Sequence, residues 1–250
     1  ELPGCVIGPA FVDAHVQMTP MGLALTGLDL SEVASGAELL HVVSTFADAH
    51  TGRVLWGHGF DPHGFPDDLP TPDDLARVAQ GRSVFLSQID GHASLVDRRT
   101  LAAAPLARSE GIERFANGRP TGMLRREANH IVRRWSVGAM QESELKAARR
   151  EAVAHAVSHG IASVHEMASP DMMGLDDLDA WLDEPWPLEI IPYWAGLDLQ
   201  TALERDLRQV GGDLFLDGSL GAHSAALTVP YADRRNTEGH LEFDDETLTS

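Results

Sequence analysis

Four short apolar runs in this sequence end in histidine or carboxylate residues, and those side chains are the ones equipped for chemistry. Phe11-Val12 leads into Asp13-Ala14-His15-Val16-Gln17, and Val84-Phe85-Leu86 into Gln88-Ile89-Asp90-Gly91-His92. Ile161-Ala162-Ser163-Val164 leads into His165-Glu166, and Phe215-Leu216 into Asp217-Gly218-Ser219-Leu220-Gly221. Active sites of parallel α/β folds gather at the C-terminal ends of strands, so a polar residue at each of four endings is more than a packed core predicts. Imidazole nitrogens and carboxylate oxygens together bind a divalent ion. Such an ion lowers the pKa of a bound water enough to give hydroxide near neutral pH. Residues two apart on a strand share a face, so His15 and Gln17 should look toward one centre.

Each of these residues also has a plainer reading. His15 is read as a ligand. Glu166, where strand gives way to loop, is either a ligand or a local capping group, and His165 should point away from it and pack. Gln17 suits pocket hydrogen bonding better than metal ligation. His92 either lines a pocket or bonds nearby backbone. Asp217 either orients a substrate or, as favoured here, holds the Gly218–Gly221 turn. His58 and His63, crowded by glycine and proline in Gly57-His58-Gly59-Phe60-Asp61-Pro62-His63, belong to a rim loop.

The elements that must position these residues alternate between strand and helix. Ser35-Gly36-Ala37-Glu38 is a capping box opening a helix through Leu39, Leu40, Val43 and Phe46, followed by a strand at Val54-Leu55-Trp56-Gly57. Thr71-Pro72-Asp73-Asp74 reads as an N-cap, a proline at the first helical position and two acids at the positive helix end. The strand Ser83-Val84-Phe85-Leu86 follows it. The strongest helix runs from about Ser143 to His159, with Leu145, Ala148, Ala152, Ala156, Val153 and Val157 on its apolar side. Strands are expected at 161–165, 188–191 and 214–216, and a helix from Thr201 to Val210. Repeated helix–glycine–strand units predict a parallel sheet with right-handed crossovers, in a barrel or an open sheet. The Arg-rich stretch from about 97 to 140, with its turn signal at Asn117-Gly118, breaks the rhythm and reads as an insertion.

Composition narrows the class. With 43% apolar residues over 250, the chain can bury a substantial core. A formal net charge of −19 argues against a nucleic-acid partner. The acids come in runs (Asp67-Asp68, Asp73-Asp74, Asp176-Asp177, Asp244-Asp245-Glu246), read as a solvated surface. The single cysteine, Cys5, excludes an internal disulfide and a cysteine-rich zinc site, and points to the cytoplasm. No apolar run approaches membrane-span length, so no membrane partner is expected. The partner expected is a small-molecule substrate, with a homodimer left open. The start at Glu1-Leu2-Pro3-Gly4 reads as the middle of a longer protein.

Pro9-Ala10-Phe11-Val12-Asp13-Ala14-His15-Val16-Gln17 resembles the first-strand signature of the amidohydrolase superfamily. Asp90-Gly91-His92, Gly160 through Glu166, and Asp217-Gly218-Ser219-Leu220-Gly221 through Ala225-Ala226-Leu227 and Pro230-Tyr231 resemble amidohydrolase family 3. That group includes the N-substituted formamide deformylases. The resemblance implies an α/β fold, a (β/α)8 TIM-like barrel of which residues 1–250 form the first part, with the inserted segment at about 97–140. The flanking β-sandwich, the later strands with two more histidine ligands, and the general-base Asp would lie outside, the last beyond Ser250. It implies hydrolysis of amide or formamide-like, non-peptide C–N bonds by a metal-activated water, with no turnover from residues 1–250 alone. Two positions depart from the family pattern. Gln17 stands where the signature has its second histidine, and Asp213 where many members have a lysine able to bridge two metals. The one lysine of the chain, Lys146, sits on a helix among Arg149 and Arg150, so one ion, zinc, is expected rather than two. His15, Glu166 and Asp213 are the expected ligands, with Gln17, His92, Asp217 and His223 facing substrate. The alternative is a family member that has lost the metal and binds a small molecule or partner.

Overall fold

Runs rich in Val, Leu and Phe form strands, and the amphipathic runs between them form helices, in a computed structural model that describes residues 3, 4, 6, 8–65, 69–244 and 247. Cys5, Asp67-Asp68 and Asp245-Glu246 lie outside the described residues. The chain begins β1 (Phe11–Val16), α1 (Met18–Thr26), β2 (Leu28–Asp29), α2 (Gly36–Ala49), β3 (Val54–Phe60), α3 (Pro72–Val78) and β4 (Ser83–Gln88). It continues β5 (Ala93–Val96), α4 (Arg98–Ala103), β6 (Ile112–Arg114), β7 (Pro120–Arg125), α5 (Arg126–Ala139) and α6 (Glu142–Ser158). It closes with β8 (Ile161–Ala168), α7 (Leu175–Asp183), β9 (Glu189–Trp194), α8 (Leu199–Glu204) and β10 (Gln209–Val210). These elements divide into two compact units, Glu1–Leu25 with Lys146–Leu214, and Thr26–Leu145 with Phe215–Ser250.

The first unit is built on a parallel sheet of order β1-β8-β9-β10. Ala152, Val153 and Ala156 of α6 join Met18, Val164, Trp181 and Leu188 in its core. The stripe read from sequence holds except at Val157, which is 44% exposed. At 100° per residue it stands about 140° round the helix from Ala152, beyond the buried arc. Gly22 of α1 lets the two helices meet closely, because a Cβ there would lie 2.0 Å from the Ala148 carbonyl oxygen. The helix expected over 201–210 starts earlier and is shorter. Asp198 caps it by accepting from the Gln200 N–H, and Asp206 takes a left-handed φ of 51° just past its end. Gln209-Val210 is then free to pair with Tyr193-Trp194, and this pairing replaces the strand expected at 214–216.

The second unit has a six-stranded sheet of order β2-β3-β4-β5-β7-β6. β2, β3 and β4 are parallel, as the repeated units predict. From β4 onward the pairings are antiparallel, which corrects the all-parallel expectation. Only Ile89–His92 separates β4 from β5, too little chain for a crossover helix. Residues 97–140 supply α4, β6, β7 and α5, with β7 hydrogen-bonded inside this sheet. α2 and α3 start where the capping residues put them. The Ser35 side chain accepts from Glu38 N–H, and Thr71 and Asp74 make a reciprocal box. Leu39, Val43, Leu55, Leu75, Val84, Leu86 and Leu95 fill the core beneath.

Among the described residues the strands form two open sheets and no closed barrel. β1 is an edge strand with Phe11 70% exposed. No helix among the described residues is long and apolar enough to cross a membrane.

Candidate functional site

The expected metal ligands all fall in the first unit, around the end of β1. Alternation along this strand sends Asp13 and His15 to one side, and Asp13 Oδ1 accepts from the His15 N–H at 3.1 Å. His15 Nε2 lies 3.1 Å from Asp213 Oδ1. The Gln17 amide donates to the other oxygen of the same carboxylate, Asp213 Oδ2. Asp213 follows the Gly211-Gly212 turn, whose glycines take φ of 111° and 45° that few side chains tolerate. Two residues from one end of this unit's sequence thus converge on a carboxylate from the other.

Glu166 lies on β8 directly across from Val16 and is 2% exposed. Its Oε2 accepts from the Met18 N–H at 2.7 Å, so it caps the start of α1, the capping role weighed for it in the sequence. Burial drives its carboxyl up to about 8; the Met18 bond opposes this, while the charges of Asp177 and Asp213 add to it. His165, on the opposite face, stacks on Tyr193 with centroids 5.2 Å apart.

Behind Glu166 lies a polar group that sequence reasoning missed. Asp177 Oδ1 accepts from Arg149 Nε at 3.1 Å and Thr19 Oγ1 at 2.8 Å, and Trp181 Nε1 donates to Thr19 Oγ1 at 3.0 Å. Arg149 and Asp177 are both buried, so the solvated reading of Asp176-Asp177 fails at its second member. Burial raises the Asp177 carboxyl and Arg149 opposes it. The signal was present: Arg149 falls at the i+4 place from Leu145 on the buried stripe of α6. Lys146, by contrast, pairs with Glu184 at a part-exposed position.

Donor chemistry here fits a divalent cation in kind. A neutral imidazole and two carboxylates are suitable ligands, and Glu166, Asp177 and Asp213 place three acids near one another with a single buried arginine. The number of ligands does not close. Among the described residues no three His, Cys, Asp or Glu side chains are arranged to hold a metal ion.

The expected substrate-facing residues His92, Asp217 and His223 belong to the second unit. Asp90 begins a turn in which its Oδ1 accepts from the His92 N–H at 3.0 Å, and its Oδ2 accepts from Ser219 Oγ at 2.5 Å. Buried Arg133 and Asn129 donate to the Gly91 carbonyl beneath. Burial lowers the Arg133 guanidinium to about 10, with Asp90 opposing, and burial also lowers the His92 imidazole. The His92 ring meets Phe215 edge-on at 5.9 Å. Asp217 Oδ2 accepts from the Ala226 N–H at 2.9 Å, tying down the loop that follows it. His223 Nε2 contacts Asp233 Oδ2 at 2.8 Å, and its ring packs on Tyr231.

The mixed α/β frame is also found in proteins already known. A structure of an uncharacterized metal-dependent hydrolase from Pyrococcus furiosus matches 96% of this chain with 27% identity and a TM-score of 0.65. One from Pyrococcus horikoshii OT3 shares the fold over 96% of the chain, with 23% identity and a TM-score of 0.68. The Bacillus subtilis protein YtcJ, whose given name places it among the amidohydrolases, is 29% identical over 99% of the chain. Protein LONG AFTER FAR-RED 3 of Arabidopsis thaliana is 26% identical over all of it. This chain covers 50% and 47% of those two proteins, and 51% and 49% of the two solved chains, so it spans about half their length. The class is that of metal-dependent hydrolase folds. Residues 1–250 match the amidohydrolase family throughout, and the chain belongs to amidohydrolase family 3.

Proposed function

We propose that this chain carries part of the centre of a metal-dependent hydrolase of amide or formamide-like, non-peptide C–N bonds, on the first strands of a (β/α)8 barrel. The observation that supports it is Asp213 held between His15 and Gln17, beside the buried Glu166. His15, Glu166 and Asp213 would hold one divalent ion, zinc by donor type, which supplies a water acidified toward neutral pH. The remaining ligands and the general-base Asp belong to the length of the relatives that this chain does not span.

The chain's own residues have definite tasks. Gln17 fixes Asp213 through Oδ2 and so aims Oδ1 toward His15. The Met18 N–H and the positive start of α1 hold Glu166 and favour its ionised form. Arg149 balances the charge of Asp177, which by itself pushes Glu166 toward its protonated form. Lys146 is engaged with Glu184, which speaks against a lysine bridge between two ions.

A second reading has an observation of its own. His15 and Gln17 both spend hydrogen-bonding capacity on Asp213, and the described ligand set stops short of three, as in a family member that binds a small molecule without catalysis. The deciding experiment assays the full-length protein against N-substituted formamides and simple amides, after chelation and after zinc is restored. The hydrolase reading predicts turnover abolished by chelation, recovered with zinc, and lowered roughly 100-fold by His15→Ala. Metal-independent inactivity, with activity appearing in Gln17→His, would favour the degenerate binder.

A further inference from the structure

The second unit contains a cavity of about 200 Å³, walled by Arg125, Arg126, Arg234, Glu113, Asn236 and Thr237, with His223 beside them. In a chain of net charge −19, three guanidiniums against the single carboxylate of Glu113 leave this cavity wall with an excess of positive charge. Nearby carboxylates do little to satisfy them. Glu113 Oε2 is 3.5 Å from Arg125 Nε and Glu110 Oε2 is 3.8 Å from Arg126 Nη1. Both acids are exposed and screened, so such pairs are weak. Asp233 is occupied by His223, and Arg234 has no carboxylate partner among the described residues. Arg125 Nη1 also donates to the Ala222 carbonyl at 3.3 Å, which fixes that arm against the far wall.

The backbone around the cavity is held in costly shapes. Arg126 and His223 take left-handed φ of 52° and 55°, and Gly111 at 91° brings its Cα so near Arg125 that a Cβ would lie 2.1 Å from its carbonyl oxygen. The 14-residue α5 begins at Arg126 without a side-chain N-cap, and its positive end is answered only in part, by Glu127 in the first turn and by the Glu110 carbonyl, which accepts from the Ala128 N–H at 3.0 Å.

We infer that this cavity binds a compact oxyanion, the phosphate or carboxylate of a small molecule. The planar forks of Arg126 and Arg234 grip its oxygens, and Asn236 and Thr237 serve as neutral donors. Its volume suits a group of a few heavy atoms, several times the roughly 30 Å³ share of one water. This inference does not rest on the metal reading, since none of these residues is a proposed ligand.

The test is isothermal titration of the protein with sodium phosphate and, separately, sodium succinate, at ionic strength fixed with sodium chloride. Saturable binding by at least one of them is expected, weakened roughly tenfold in Arg126→Gln and in Arg234→Gln. Arg77→Gln, at an exposed helix position paired with Asp74, should leave it unchanged. Circular dichroism melting confirms that each variant is folded. Binding of phosphate alone assigns a phosphate-bearing ligand, of succinate alone a carboxylate, and of both the shared oxyanion chemistry. Binding of neither, or equal binding in Arg126→Gln and Arg234→Gln, overturns the inference.

Discussion

Burial drives the Glu166 carboxyl up to about 8, while the Met18 N–H it accepts from favours the charged form. The folded chain therefore holds a proton here that the unfolded chain, with an ordinary value of 4.5, has released. Its contribution to stability is complete below about pH 4.5 and is lost as pH rises through about 8. In metal-free protein the unfolding free energy from urea titration should fall across that window, by roughly 1.4 kcal/mol per unit of pKa shift. Glu166→Gln should flatten the decline, and an unchanged slope in the variant would contradict this account of Glu166. The neighbouring ion pair makes a different demand. Arg149 and Asp177 satisfy each other out of water, so removing one leaves the other's charge stranded. Arg149→Met should cost about 3–5 kcal/mol in denaturant melts, and the double variant with Asp177→Leu should recover most of it. Additive losses in the double variant would show the pair to be uncoupled.

Element by element, α1 and α6 approach each other closely at Gly22. Ala at this position would drive its Cβ into the Ala148 carbonyl, so Gly22→Ala should destabilise by about 2–3 kcal/mol. Gly138→Ala, with open space around its Cβ, is the control and should be neutral or stabilising. If Gly22→Ala melts like the parent, the two helices are not packed as described. Helix starts were legible in the sequence because caps are local chemistry: Ser35, Thr71 and Asp74 act within four residues of where they stand. Strand pairing was less legible. The antiparallel run from β4 depends on the four-residue turn at Asp90-Gly91, which the sequence presented as a site motif and not as a hairpin. The tail of α8 was overextended because Asp206 accepts a left-handed φ that its residue type permits but does not announce.

For the whole molecule, motif order pointed to His15, Glu166 and Asp213, and all three fall in one unit with Gln17, although β8 runs on to Ala168 and so holds Glu166 inside the strand and not at its end. Arg149 and Asp177 were hidden because a charged residue on a helix or in an acidic pair reads as solvated until its partner is known. The resemblance implies only the first part of a (β/α)8 barrel; the described strands form two open sheets, and the chain spans about half the length of its relatives. On the proposed function, His15, Glu166 and Asp213 belong to one cation site. Metal content per chain, measured on the full-length protein after zinc loading and dialysis, tests it most directly. One ion per chain is expected in the parent and far less in Asp213→Asn and His15→Ala. A content near zero in the parent, or one undiminished in both variants, would contradict it.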